Sequence, residues 1–176
     1  MNLVTVSRFA VRAGVLGLLA FAGCEVNLPF DIPKDFPIDA MGMSLTTTQA
    51  VDLSTIKEVQ DHKAAVQHLS LDSADVSVTA IGAMNMATSL TGQLALRAAS
   101  APADGSQDVQ VGQLSNVPIS IGSKVHLPGS PALDAFLLAQ VKGSGMFSIV
   151  VNGMTAGGPA HLTLHAVLHA SLGYGS

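Results

Sequence analysis

Three histidines at a spacing of four, His161, His165 and His169, are the residues whose type and placement first suggest chemistry. On a helix this spacing would put three imidazoles on one face, where they could share a metal such as zinc. The residues between them argue for a strand instead. Leu162, Leu164, Ala166, Leu168, Ala170 and Leu172 all take the opposite parity, and a period of two sustained over this length predicts a β-strand. On a strand, residues four apart are separated by about 13 Å, too far for two rings to meet at one ion with Zn–N near about 2.1 Å. The expectation is a polar, weakly pH-sensitive sheet face shared with Thr163 and Ser171, with no bound metal; His161, His165 and His169 are metal candidates only if the segment is helical.

Other chemistry is thinly signalled. Asp104-Gly105-Ser106-Gln107-Asp108 offers oxygens at alternate positions, but Val109 stands where an EF-hand requires glycine, and no glutamate occupies the twelfth position. The stretch is expected to be a turn. No nucleophile elbow, zinc-protease helix, phosphate-cradling glycine loop or dinucleotide fingerprint occurs, and Ser144 between Gly143 and Gly145 suits a helix exit. Neither an enzymatic activity nor a cofactor is predicted.

The remaining reactive side chain is Cys24, the single cysteine of the chain. Arg8 and Arg12, with no acidic residue beside them, precede an apolar run over 13–23 that ends at this thiol, the order of a secretory signal. The run is about half of the roughly 20 residues that cross a hydrocarbon core. Ala22 and Gly23 leave room for a peptidase before Cys24, whose thiol can then be alkylated by a diacylglyceryl group. The stretch Leu18-Leu19-Ala20-Phe21-Ala22-Gly23-Cys24 resembles a bacterial lipobox, with Phe21 where leucine or another aliphatic residue is usual. The resemblance covers the first 24 residues and assigns no family to the rest. It implies a lipoprotein, lipidated at Cys24 and attached to a membrane of the cell envelope. Glu25, in place of the aspartate that resembles an inner-membrane retention signal, points to the outer membrane and a periplasm-facing domain. The alternatives are ordinary secretion with a free cysteine, or retention of 13–23 as a membrane helix.

Removing residues 1–23 from the 176 leaves 153, enough for one domain with its own core. Arg8 and Arg12 leave with the signal, so 6 basic side chains face 12 acidic ones, a formal −6. That balance disfavours a nucleic-acid partner. With Cys24 lipidated no disulfide can form, and stability must come from packing. Charged residues make up 11% and aromatics 4% of the chain, with no tryptophan, which leaves little for stacking against sugars.

These residues have to be positioned by an extended segment, a set of strands and two helices. Over 25–39, Pro29, Pro33 and Pro37 interleave with Asp31, Asp35 and Asp39, so the segment is extended. It is either a tether reaching about 40 Å or an edge strand docked by Phe30, Ile32, Phe36 and Ile38. Met41, Met43 and Leu45 suggest a strand. Ile56, Val59, Val66 and Leu69 recur at helical spacing, and Thr55 with Glu58 fits a capping box, predicting a helix over 55–68 with Lys57, Asp61 and Lys63 in solvent. Strands are expected over 75–82 and 89–98, paired as a hairpin through 84–88, and over 109–114 and 117–121, the last weakened by Pro118. Ser130-Pro131 opens a second helix with Leu133, Phe136, Leu137 and Val141 on one face, closed by Lys142-Gly143. Phe147, Ile149 and Val151 begin a strand, a turn runs over 153–159, and the histidine strand covers 161–172.

The expected fold is α+β: an antiparallel, β-rich single domain with two helices over the apolar sheet face, built of two helix-strand-strand units that a duplication would explain. The alternative is a β-sandwich with one or two helices. The expected organisation is a signal peptide over 1–23, a lipidated proline-rich tether or edge strand over 24–45, and a globular unit over 46–176. The function expected of it is a non-enzymatic binding or structural module of the envelope, with an envelope protein or lipid as partner. The alternative is a carrier of an apolar ligand or lipid between helices and sheet, lined by Ala80, Gly82, Gly92, Ala98, Ala166, Ala170, Met41, Met43, Met84 and Met86.

Overall fold

A computed structural model describes residues 25–175. The signal segment and Cys24 lie outside the described residues. Eight strands form two antiparallel sheets: β1 (Glu25–Ala40), β2 (Ser44–Asp52), β3 (Val66–Ile81), β4 (Ser89–Ala98), β5 (Val109–Pro118), β6 (Lys124–Pro128), β7 (Met146–Ala156) and β8 (Ala160–Gly175). Two helices, α1 (Lys57–His62) and α2 (Pro131–Lys142), occupy connections between the sheets. One sheet has the order β1-β8-β3-β6 and the other β2-β7-β4-β5.

The order follows from rolling up one long antiparallel ribbon in which β1 pairs with β8, β2 with β7, β3 with β6 and β4 with β5. Lateral pairing of β3 with β8 and of β4 with β7 closes the roll, giving the jelly-roll order. Adding four to each strand number converts one sheet into the other, and the same shift carries α1-β3-β4 onto α2-β7-β8. The repeated helix-strand-strand pattern is thus a property of the topology, whatever its ancestry.

The sandwich alternative describes the structure, and the helix-covered sheet is corrected. Each sheet buries its apolar face against the other, with Phe36, Leu71, Leu94, Ile149, Leu164 and Leu168 among the fully enclosed side chains. The helices add Val59, Leu133, Leu137 and Val141 to this core from the connections they occupy. α2 keeps the expected limits: Pro131 lies in its first turn, and the Gly143 N–H bonds back to Ala139 and Gln140. Phe136 meets Phe147 edge-to-face at 5.8 Å.

Several local expectations fail for physical reasons. The helix over 55–68 is only α1, flanked by short 3-10 turns. Its expected capping box does not form, because the Thr55 hydroxyl donates to the Asp52 carbonyl and the Asp52 carboxylate accepts from the Ser54 N–H. Val66 and Leu69 belong to β3, where register shifts at Val66/His68 and Leu71/Ser73 insert an extra residue between buried positions. A β-bulge thereby creates the three-residue spacing that mimics a helix. β3 and β4 do not pair as a hairpin, since β3 is flanked by β8 and β6 and β4 by β7 and β5. Their connection crosses between the sheets, with Met86 and Ala87 N–H groups both bonded to the Pro159 carbonyl. The two short strands expected over 109–121 are the single β5, with Pro118 as its last residue. β1 and β2 are full members of the sandwich, and Phe30, Ile32, Phe36, Ile38 and Leu45 lie in its core.

Candidate functional site

β1 is an edge strand paired with β8 through an unbroken register. Proline has no N–H, so it fits a paired strand only where its nitrogen faces away from the partner. Pro29, Pro33 and Pro37 therefore turn the backbone groups of the odd-numbered β1 residues outward, and with them those of Asp31, Asp35 and Asp39. The odd-numbered residues then form the non-hydrogen-bonded pairs with β8, in which opposed Cα atoms approach to about 4.5 Å. Their side chains stand on the outer face of the sheet.

In these close pairs every aspartate meets a histidine. Asp39 is opposite His161, Asp35 opposite His165 and Asp31 opposite His169. The imidazole Nδ1 lies 2.9, 2.7 and 2.7 Å from the respective carboxylate Oδ1. The third pair continues across the sheet: His169 Nε2 lies 3.2 Å from Asp75 Oδ2 on β3, and Asp75 is in turn met by His126 Nδ1 at 2.9 Å and Lys124 Nζ at 2.8 Å, both on β6. A chain of polar contacts thus spans all four strands. Beside it the Ser70 and Ser171 hydroxyls lie 2.7 Å apart and 3.1 and 3.2 Å from the Asp72 carboxylate, so one hydroxyl donates to the other and the second donates to Asp72.

The electrostatics follow from these contacts. The Asp75 carboxyl, its side chain only 19% exposed, is held well below the ordinary carboxylate range, first by Lys124, then by His126 and His169. His169 is raised above the usual imidazole value, chiefly by its bond to Asp31 and secondarily by Asp75, against the opposing effect of burial. The imidazolium form of His169 can donate its Nδ1–H to Asp31 and its Nε2–H to Asp75, carboxylates on different strands, and these two charge-assisted bonds favour it.

The histidine strand expected over 161–172 is β8, with Thr163 and Ser171 on the same half-buried face. The structure brings each histidine to an aspartate and not to another histidine. Among the described residues no group of three or more His, Cys, Asp or Glu side chains is placed to hold a metal ion. The sequence expectation missed Asp31, Asp35, Asp39 and Asp75 as members of the site. The signal was present: the β1 aspartates and the β8 histidines both recur every four residues on one parity.

Asp104 accepts from the Ser106 N–H and hydroxyl, and Asp108 is taken up by Arg97 through two contacts of 2.6 and 2.7 Å. The two carboxylates thus serve different partners. The residues proposed for an apolar ligand site are divided: Ala166 and Ala170 are buried in the core, whereas Met41, Met43, Met84 and Met86 are exposed at the end where the β1–β2 and β3–β4 connections lie. Two open crevices, of about 370 and 150 Å³, lie between β1 and β2. The first is lined by residues 37–40 and 44–47, the second by residues 31–34, 51–52 and 55–56. No helix among the described residues is long and apolar enough to cross a membrane.

No protein-family model matches the chain, and no curated protein matches it in sequence. Solved structures to which it is similar include turnip yellow mosaic virus, at 15% identity and a TM-score of 0.39 over 98% of this chain and 89% of that one. Desmodium yellow mottle tymovirus follows at 10% identity and a TM-score of 0.34 over 100% and 96%. Nora virus shows 12% identity and a TM-score of 0.39 over 98% and 67%. Likeness at these scores carries no weight for fold or function, and the architecture rests on the strand pairing itself.

Proposed function

We propose that the protein is a lipid-anchored module of the bacterial envelope that works by binding and not by catalysis, and that it presents the outer face of the β1-β8-β3-β6 sheet to another envelope component. The observation that carries this reading is the ionic belt across that face, from Asp31 through His169 and Asp75 to His126 and Lys124. In a chain with 11% charged residues, this concentration on one rigid surface is a recognition feature. The lipobox resemblance supplies the attachment point, Cys24, immediately before β1. Because β1 is paired from its first residue, the lipid would hold the sandwich close to the membrane at the β1 start. Placement at the outer membrane, facing the periplasm, follows the Glu25 argument.

Two measurements test this. Cys24→Ser should release the protein from membranes without unfolding it; the variant remaining membrane-bound at full precursor length would show that 13–23 is retained as an anchor. A photo-crosslinking residue at Ser77, on the ionic face, should give adducts in cells that one at Gln93, on the other sheet, does not. Equal adduct patterns from both positions would remove the face from the proposal.

A further inference from the structure

A β-sandwich has four sheet edges, and unpaired edges invite association unless something blocks them. Three of the four here carry a recognised block. β1 has proline at 29, 33 and 37 and a row of aspartates. β5 is broken by register shifts at Leu90/Gly92 and Leu94/Ala95 of its partner and ends at Pro118. β6 is five residues long and ends at Pro128. β2 differs: Ser44–Asp52 has no proline, no lysine or arginine and no register shift against β7, its one partner among the described residues.

The backbone direction of β2 is fixed by its ends. The Met43 carbonyl accepts from Thr155, and the Leu53 N–H donates to Gly145, so odd-numbered residues face the β7 side. The groups of Ser44, Thr46, Thr48, Ala50 and Asp52 consequently point to the open side, and these side chains lie on the outer face.

We propose that β2 is the contact through which a second copy of this chain docks, antiparallel about a two-fold axis at Thr48, joining two four-stranded sheets into one of eight. The sequence is complementary to itself in this register. Thr48 meets Thr48 of the second copy, Thr46 meets Ala50, and Ser44 meets Asp52. On the inner side Leu45 meets Val51 and Thr47 meets Gln49. Asp52, the sole charged residue of β2, never faces its counterpart. An isologous contact needs such self-complementarity, and two-fold pairs are the commonest symmetric assembly. This inference goes beyond the proposed function and does not depend on the anchor or the ionic face.

Thr48 is exposed, so its side chain can be changed without disturbing the core. The purified full chain in a mild detergent is expected to be dimeric by native mass spectrometry and sedimentation, and Thr48→Lys monomeric with an unchanged circular-dichroism spectrum, because like charges are then opposed at the axis. Thr48→Asp should also be monomeric. Mixing the two variants should restore a dimer containing one of each, with affinity at least tenfold above either alone. A wild-type monomer at 100 μM would overturn the proposal, as would a dimer that survives Thr48→Lys or a mixture that fails to pair. A foreign strand bound at β2, seen as extra mass on a monomer, would assign the edge to another occupant and equally overturn it.

Discussion

β1 and β2 are neighbours along the same open side of the sandwich, yet they are built on opposite plans. β1 is secured on three sides of its backbone. Phe30, Ile32, Phe36 and Ile38 are buried inward, the aspartates are paired on the outer face, and prolines line the rim. β2 buries Leu45 and Val51, shows threonine and alanine outward, and leaves its rim unmodified. The difference separates two uses of an edge: one strand is specified against slipping and pairing, the other keeps its hydrogen-bonding groups available. Register shows how tightly β1 is specified. A slip of two residues would set every β1 aspartate opposite Thr163, Val167 or Ser171 in place of a histidine.

The largest effect should come from the inner side of β1. Phe36 is fully enclosed, so Phe36→Ala is expected to lower stability by about 3–5 kcal/mol, measured by urea denaturation. Leu45→Ala in β2 should cost about 2–3 kcal/mol. If the β2 substitution proves the more damaging, β1 is not the better-secured strand.

The ionic belt should contribute next, and its pH dependence has a definite sign. Asp75 has a lowered folded-state value, so its contribution is present above its unfolded value near about 3.9 and is lost as pH falls through the folded one. His169 is raised, so its contribution is complete below about 6.5 and is lost as pH rises through the folded value. Both are present between about pH 4 and about pH 6.5. Asp75→Asn should cost about 1–2 kcal/mol at pH 5.5. His169→Gln should cost about 0.5–1 kcal/mol there, reduced by solvent screening of a side chain 36% exposed, and should become neutral in alkali. A stability difference for His169→Gln that stays constant from pH 5.5 to 9 would show that the imidazole acts by packing alone.

How much of this was legible depends on whether a residue's neighbours lie near it in sequence. The β8 strand and α2 were readable because their periodicities are local and uninterrupted, as were the extended conformation of 25–39 and the apolar side chains by which it docks. The partner of each histidine was not, since the pairing joins residues as far apart as Asp31 and His169. β3 misled for a different reason: each bulge shifts the buried parity, and residues 66–71 then carry a helix-like spacing on a strand. The contrast between β1 and β2 was half visible, for prolines announce a blocked edge, while a bare edge looks like any polar strand until the sheet order is known.

The smallest expected effect is the one that isolates the middle rung of the ladder. His165 faces Asp35 at 2.7 Å, with 34% and 69% of the respective side chains exposed, and it lacks the second carboxylate that His169 finds in Asp75. A hydrogen-bonded pair this open contributes little, so His165→Ala should cost no more than about 0.5 kcal/mol and leave β1 docked. Amide exchange along residues 30–38 reports the docking directly. Protection there should be unchanged in His165→Ala, because the buried phenylalanines and isoleucines hold the strand, and reduced in Phe36→Ala. Loss of protection on removing His165 alone would reverse that order and make the outer ladder, not the core, the element that fixes β1.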